Sequence, residues 1–415
     1  MSLSDVIVVG GGCAGLFTAL ELGERGYSCV VLDSSPLGRF ASTRNQGWIH
    51  SGSLYAGLNQ PSVADHCAKG NARLRSLCAD AVQDAIEAYY VFENQDEGRD
   101  FAQAIHKCGI AVDEIDLVDA MRDVPILSGS QRVAAVLRVQ DHPFDTAEVL
   151  ARLLPELESR GVVTVPVDPL AAPSLEPPSK RRSEWEVKWG AFAGAARSVI
   201  LASGATIPAL LAHVGSTLAS RFYVEKIEVL TLHKVVSSAI VATPLSRRAP
   251  SIVPFSVNGT SGTTICLGKD DIRVASHTDR MPRAEAIKRI PRQLYDWFPS
   301  LDVALGERVE ADLFCCQKLK RDDDEEVEIH RGHYLVDHAA QDQSRLDGLY
   351  TFYPGKFTAA PHVAVECAEL VATRLGGPTH AATVPGTIGH VVAQQRFLQA
   401  GTYQFARSPN SFQLI

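Results

Sequence analysis

Hydrophobic residues near the start of the chain come in blocks rather than singly. Val6-Ile7-Val8-Val9 is a continuous β-branched run, the pattern of a strand covered on both faces in a parallel sheet. Glycines at 10–12 interrupt it. An apolar-periodic segment to about Gly26 then predicts an amphipathic helix, and Ser28-Cys29-Val30-Val31-Leu32 predicts a second buried strand. Further along, Asp145-Thr146-Ala147-Glu148 has the spacing of a capping box and predicts a helix that stops at Gly161. Alternating β-branched positions from Leu230 to Val241 and from Thr263 to Leu267 predict antiparallel strands. The most apolar long window, VEKIEVLTLHKVVSSAIVA at 224–242, is broken by lysines and reads as paired strands rather than a membrane span. DPLAAPSLEPPSKRRSEWEV at 168–187 is rich in proline and charge and predicts an exposed hairpin or flap, with Lys180-Arg181-Arg182 a solvated turn. The acidic run Asp322 to Glu326 predicts a surface turn between strands. No internal repeat is found.

The first glycine block carries chemistry. Gly10-Gly11-Gly12-Cys13-Ala14-Gly15 fits G-x-G-x-x-G directly between strand and helix. Gly10 permits the tight turn, Gly12 lets the backbone approach a pyrophosphate, and Gly15 lets helix and strand pack closely. The helix N-terminus then faces the diphosphate. Asp33, followed by Ser34, ends the second strand where a carboxylate can take both ribose hydroxyls of an adenosine. The fingerprint suits FAD and NAD equally.

Composition narrows the class. With 415 residues, 46% of them hydrophobic, the chain is long enough for two interleaved domains with their own cores. A net charge of -8 argues against nucleic acid, which needs a concentrated basic field. Nine cysteines lie scattered without metal-type spacing, so buried thiols are expected, with no disulfide framework and no metal site. MSLSDVIVVGGG lacks the basic and apolar regions of a signal peptide, and no window reaches 18 uninterrupted apolar residues. The expectation is a cytoplasmic protein without an integral membrane segment.

The polar stretch STRNQGWIHSGSLYAG, residues 42–57, separates the two cofactors. It follows the ribose acid almost at once, where a nicotinamide enzyme would continue its alternating strands and helices. Asn45-x-Gly47-x-x-His50-Ser51-Gly52 resembles the N-x-G-x-x-H-(S/G)-G loop of the FAD-dependent glycerol-3-phosphate dehydrogenase and 2-hydroxyglutarate dehydrogenase group, within the D-amino-acid oxidase (DAO) superfamily. Pro354-Gly355-Lys356 resembles the strand-ending Gly-Gly-Lys of glycerol-3-phosphate dehydrogenases, and ARSVILASGA, ending at Gly204 and Ala205, resembles their Ala-Thr-Gly strand end.

The resemblance implies an α/β fold: a Rossmann-type FAD-binding domain interleaved with a smaller α+β substrate domain built on an antiparallel sheet. The first would comprise 1–80, 142–220 and 335–415, and the second 81–141 and 221–334. FAD would be held by Gly10, Gly12, Gly15, Asp33 and Ser34, by Thr43, Arg44, Asn45, Gln46 and Gly47 beneath the ring, by Gly204, and by Gly355, Lys356, Phe357 and Thr358. His50 is the candidate base, because oxidation at a flavin requires a proton to leave oxygen or nitrogen as hydride leaves carbon, and a near-neutral pKa suits that task. The competing view is a histidine that only hydrogen-bonds the flavin or the loop backbone.

Lys356 and the helix N-terminus behind it are expected to stabilise negative charge at the pyrimidine edge. In the family two arginines grip the substrate's anionic group. Lys318 stands where the first would be and Arg331 matches the second, so His50, Lys318 and Arg331 are the candidate substrate contacts. Lysine offers a point charge without the planar fork. Thr358-Ala359-Ala360-Pro361 replaces the family's Thr-Thr-Tyr-Arg. The function implied is removal of a hydride from a C–H beside a hydroxyl or amino group of a small anionic metabolite, glycerol-3-phosphate-like or 2-hydroxy-acid-like. Alternatives are an amine or imino-acid oxidase, and a flavin-bearing electron-transfer subunit without its own substrate. Oxygen, a quinone or a redox protein remain open as electron acceptor. The tail from Thr379 is expected to lack the further C-terminal domain of many relatives and to form a short helix and a surface-docking segment.

Overall fold

The computed structural model describes residues 2–34, 36–245, 249–257, 260–267, 272–301, 308–322, 332–379, 402–408 and 411–414. Strand β1 (Ser2–Val9) turns at the glycine block into helix α1 (Cys13–Glu24) and returns as β2 (Cys29–Ser34). After the polar loop come α2 (Pro61–Cys78), β3 (Ala88–Phe92), β4 (Ala135–Val139), α3 (Thr146–Ser159), β5 (Val163–Val167) and β6 (Phe192–Leu201). The second half supplies β7 (Phe222–Leu232), β8 (Thr260–Leu267), β9 (Arg308–Arg321), β10 (Tyr334–Asp337), β11 (Leu349–Tyr353) and α4 (Ala360–Leu375).

Two sheets organise these elements. In the first, the order is β10-β11-β6-β1-β2-β5, parallel except for β10 against β11. Ile7 sits in register with Val199 on one side and Val30 on the other. Val6 and Val8 point into a core shared with Leu16, Leu153 and Val363, while Ile7 and Val9 point into another with Trp185 and Leu211. Both faces are covered, which is why β1 has no polar alternation. Each fully buried aliphatic side chain contributes about 1.5–3 kcal/mol. Helix α1 departs from the amphipathic expectation: Cys13 through Gly23 are all buried, because the helix is covered by the sheet on one side and by α3 and α4 on others. Its buried Glu21 is neutralised by Arg25 at 2.9 Å and by Arg73.

Helix α3 starts as its sequence predicts, with Asp145 accepting bonds from the Ala147 and Glu148 amides, and it ends just before Gly161. The flap is a hairpin: Ser174–Glu176 pairs with Trp185–Trp189, which pairs with β6. Arg182 in its turn pairs with Glu186 at 2.7 Å.

In the second sheet β7 and β9 pair antiparallel from Phe222↔Arg321 to Leu232↔Ala311, and β8 flanks β7 on the other side. β3 and β4 belong to the same sheet. Two sequence expectations change here. The window 224–242 is not a pair of mutually bonded strands: β7 ends at Leu232, the Val236 amide is tied to Thr263 Oγ1 at 3.0 Å, and Ile240–Ala242 pairs with β3 and with Pro250–Val257 instead. In the tail, Thr402–Ser408 and Ser411–Leu414 form a hairpin on β9, so these residues join the second sheet rather than the 335–415 part of the first. The remaining tail positions 380–401, the acidic residues 323–326 and Arg331 lie outside the described residues. None of the nine cysteines is in a disulfide, and eight of them are buried. No helix among the described residues is long and apolar enough to cross a membrane.

Candidate functional site

A cavity of about 1290 Å³ opens between the two sheets at the C-terminal ends of β1 and β2. That exceeds the roughly 300–1,000 Å³ of ordinary small-molecule sites and leaves room for a dinucleotide together with a small substrate. At one end lie Gly10, Gly12, Asp33 and Ser34 with the flap residues Pro169 to Pro173, and Trp189 Nε1 holds that flap by donating to the Asp168 and Ala171 carbonyls. At the other end lie Arg44, Asn45, Gln46 and His50 facing Gly355, Lys356, Phe357 and Thr358, with Gly204 and Lys318 also on the wall.

Three predicted cofactor residues do not line this cavity. Gly15 packs beneath the glycine turn, where a Cβ would lie 1.8 Å from the Gly10 carbonyl oxygen. Thr43 is buried and donates to the Gly38 carbonyl, and Gly47, at φ 65°, shapes the loop and donates to Asn45 Oδ1. The expected helix start at 355–358 also shifts: Gly355 to Thr358 form a turn, and α4 begins at Ala360.

The residues present suit a flavin dinucleotide. Gly10 has φ 119° and is overhung by the Ala202 and Ser203 backbone, so only glycine makes this turn. At Gly12 a Cβ would press on Ser42 Oγ, which caps the first amide of α1 by accepting from Cys13 at 3.0 Å. Burial pushes the Asp33 carboxyl up to about 7, against the pull of the Ser34 and Gly11 amides, so hydroxyl donors on that oxygen pair would be stabilising. Gln46 Nε2 is buried on the flavin-loop side with no acceptor among the described residues.

Sequence reasoning does not find the group that holds His50. Asp141, fully buried just beyond β4, accepts at Oδ2 from Trp48 Nε1 and Tyr90 Oη at 2.7 Å each and lies 3.4 Å from His50 Nδ1. Its Oδ1 accepts from the Ser51 amide and hydroxyl at 2.5 and 2.6 Å. Burial pushes this carboxyl up, but the bonds from His50 and Ser51 outweigh it and hold it below the usual carboxylate range. An ionised carboxylate only accepts, so Nδ1 carries the proton and Nε2 is left as the basic nitrogen. The backbone is fixed as well: the His50 amide donates to Thr358 Oγ1 at 3.2 Å and its carbonyl accepts from Asn71 Nδ2 at 3.0 Å. The imidazole packs against Trp48 and, edge-on, against Tyr55, whose ring lies 5.3 Å from Lys356 Nζ.

A second feature missed by sequence reasoning is basic. Two guanidiniums approach the Phe40 ring, Arg280 at 4.0 Å and Arg39 at 5.9 Å from its centroid, and both arginines line the cavity. Neither has a carboxylate partner among the described residues. Burial, and then the charge of Arg39, hold Arg280 below the ordinary guanidinium range. Lys318 sits in register with Glu225, and Lys320 approaches that carboxylate at 3.7 Å, so positive charge on this part of the wall is partly balanced.

The sequence pattern of the FAD dependent oxidoreductase (DAO) family matches residues 5–370. The chain belongs to that family. This DAO-family enzyme therefore uses FAD, and its two-sheet architecture is the family's. It is 33% identical over 116 residues to one of the subunits of the anaerobic glycerol-3-phosphate dehydrogenase of Haemophilus influenzae, a stretch covering 27% of this chain and 20% of that protein. The match therefore spans a fifth of that relative's length. Among solved structures, glycine oxidase from Geobacillus kaustophilus superposes with a TM-score of 0.68 at 18% identity, covering 94% of this chain and all of that one. L-proline dehydrogenase from P. horikoshii gives 0.67 at 16%, covering 90% and 94%. These two likenesses concern the fold.

Proposed function

We propose that this DAO-family oxidoreductase oxidises a small anionic substrate at a C–H bond beside a hydroxyl or amino group, with His50 as base and Asp141 as its positioning residue. The observation that carries the reading is His50 in the wall of the dinucleotide cavity with the buried Asp141 carboxylate 3.4 Å from its Nδ1. Bound FAD supplies the acceptor for the hydride. His50 Nε2 takes the heteroatom's proton as the C–H electron pair departs, leaving a carbonyl or an imine. Asp141 fixes the tautomer and stabilises the imidazolium. Lys356, on the turn facing His50, places positive charge where the reaction accumulates negative charge. The Arg39–Phe40–Arg280 group suits a carboxylate or phosphate better than Lys318 does, because a carboxylate already stands across from Lys318.

The relative from a glycerol-3-phosphate dehydrogenase supports an alcohol substrate. The fold likeness to glycine oxidase and L-proline dehydrogenase supports a second reading, an amine substrate. Anaerobic addition of 2-hydroxy acids, glycerol phosphates and secondary amino acids to the yellow protein tests both. Bleaching of the flavin band by an anionic alcohol is the expected result. Bleaching by amino acids alone would move the assignment to the amine reading, and no bleaching by any member would remove both.

A further inference from the structure

Away from the cavity, α2 and α4 lie side by side. The Arg73 guanidinium of α2 donates to the Pro361 carbonyl of α4 at 2.9 Å, and at Gly70 a Cβ would lie 1.9 Å from the Thr358 carbonyl oxygen. On this seam three imidazoles gather from distant parts of the sequence. The His66 ring is 5.1 Å from that of His333 and 5.6 Å from that of His362. The ligating atoms of Asp65, His66 and His362 all lie within 4.8 Å of one another. Glu366, one helical turn after His362 and so on the same face of α4, lies 3.7 Å from His66 Nε2 and 2.9 Å from His333 Nε2. Among the described residues no other trio of histidine, cysteine or acidic side chains converges in this way.

Glu366 reaches two of the three imidazoles, and Asp65 adds a second carboxylate beside the His66–His362 pair. Two nitrogens and a carboxylate oxygen form the donor set that borderline cations such as Zn²⁺ select over Mg²⁺ or Ca²⁺. Bonds of roughly 2.0–2.1 Å require the ligating atoms to draw together by about an ångström, within reach of side-chain rotation. Asp65 must also exchange its 2.7 Å contact with Lys69 for the metal, and both groups are half exposed and free to do so.

We propose that His66, His362 and Asp65 bind a Zn²⁺-class transition-metal ion between α2 and α4, with Glu366 as a further carboxylate donor. The site braces the base from behind. Five residues after His66 on α2 stands Asn71, which holds the His50 carbonyl, and just before α4 stands Thr358, which holds the His50 amide. The metal performs no chemistry on the substrate. It locks together the two elements that fix His50.

The test uses the full-length FAD-loaded protein, stripped with chelator and titrated by calorimetry with ZnCl₂, with MgCl₂ as control. Saturable binding of one equivalent of Zn²⁺, a raised melting temperature and no response to Mg²⁺ are expected. The combined His66→Ala and His362→Ala variant is expected to lose at least about 100-fold in Zn²⁺ affinity while keeping its flavin spectrum. Cys108→Ser, which removes the exposed thiol, is expected to bind as before. Asp65→Asn, a change on the helix surface, keeps the test decisive if the double variant does not fold, and it is expected to weaken binding about tenfold. Absence of saturable Zn²⁺ binding, or affinity unchanged in both ligand variants, would overturn the proposal.

Discussion

His50→Asn is expected to slow anaerobic reduction by substrate by roughly 10²–10⁴-fold, the usual contribution of a positioned acid–base group, while the protein stays yellow. Asparagine keeps what holds the loop, because the bonds to Thr358 and Asn71 run through the backbone of residue 50 and not its side chain. Its amide can still face Asp141. What it lacks is a basic ring nitrogen to accept the proton. Asp141→Asn separates orientation from chemistry: the imidazole remains but its tautomer is no longer imposed, so a smaller loss is expected, with the steepest change in the pH profile of reduction. Stopped-flow absorbance reads both variants. If His50→Asn reduced as fast as the parent and merely held flavin less tightly, the histidine would be a cofactor contact and the base would lie elsewhere.

Gly15→Ala is expected to yield colourless, strongly destabilised protein. The added Cβ would lie 1.8 Å from the Gly10 carbonyl oxygen, 3.0 Å from its carbon and 3.1 Å from Val8 Cγ1. Two of these are backbone atoms that no rotamer change can move. The turn is also anchored on both sides, since the Gly10 amide donates to the Leu32 carbonyl at 2.8 Å and the Ala202 amide to the Val9 carbonyl at 2.9 Å. Relief therefore requires α1 to lift from β1, which opens the core and displaces the helix N-terminus from the cofactor. Overpacking costs about 1–3 kcal/mol where side chains can adjust, and a backbone collision belongs at or above the top of that range. Gly109→Ala is the contrast: its φ of 72° imposes strain, but no atom lies within 4 Å of the new Cβ. A loss of about 1–2 kcal/mol with full flavin content is expected there. Melting temperature and flavin absorbance measured together distinguish the two.

The residues most legible in the sequence act through local geometry. The β1–α1–β2 unit, its glycines and the Asp145 cap each depend on neighbours a few positions away, so periodicity and turn chemistry locate them. His50 and Lys356 are legible through motifs, and the fold brings both to one cavity. Asp141 is not, because it meets His50 across 91 residues of sequence and follows a strand with no distinguishing pattern. Arg280 escapes notice for the same reason, since its partner Phe40 is far from it along the chain. The 224–242 window misleads in another way. Period-2 patterning identifies strands but does not say which strands pair, and here β8 and Pro250–Val257 intervene between its two halves. The full burial of α1 is equally invisible, because α4, which covers it, arrives more than 300 residues later.

The decisive measurement is a crystal structure of the FAD-loaded protein with a substrate analogue bound. The expected result places His50 Nε2 within about 2.6–3.2 Å of the analogue's hydroxyl or amino group, on the face of the flavin toward which the analogue's C–H points, with Nδ1 still bonded to Asp141. An imidazole turned away from the analogue, or separated from it by the flavin, would contradict the account.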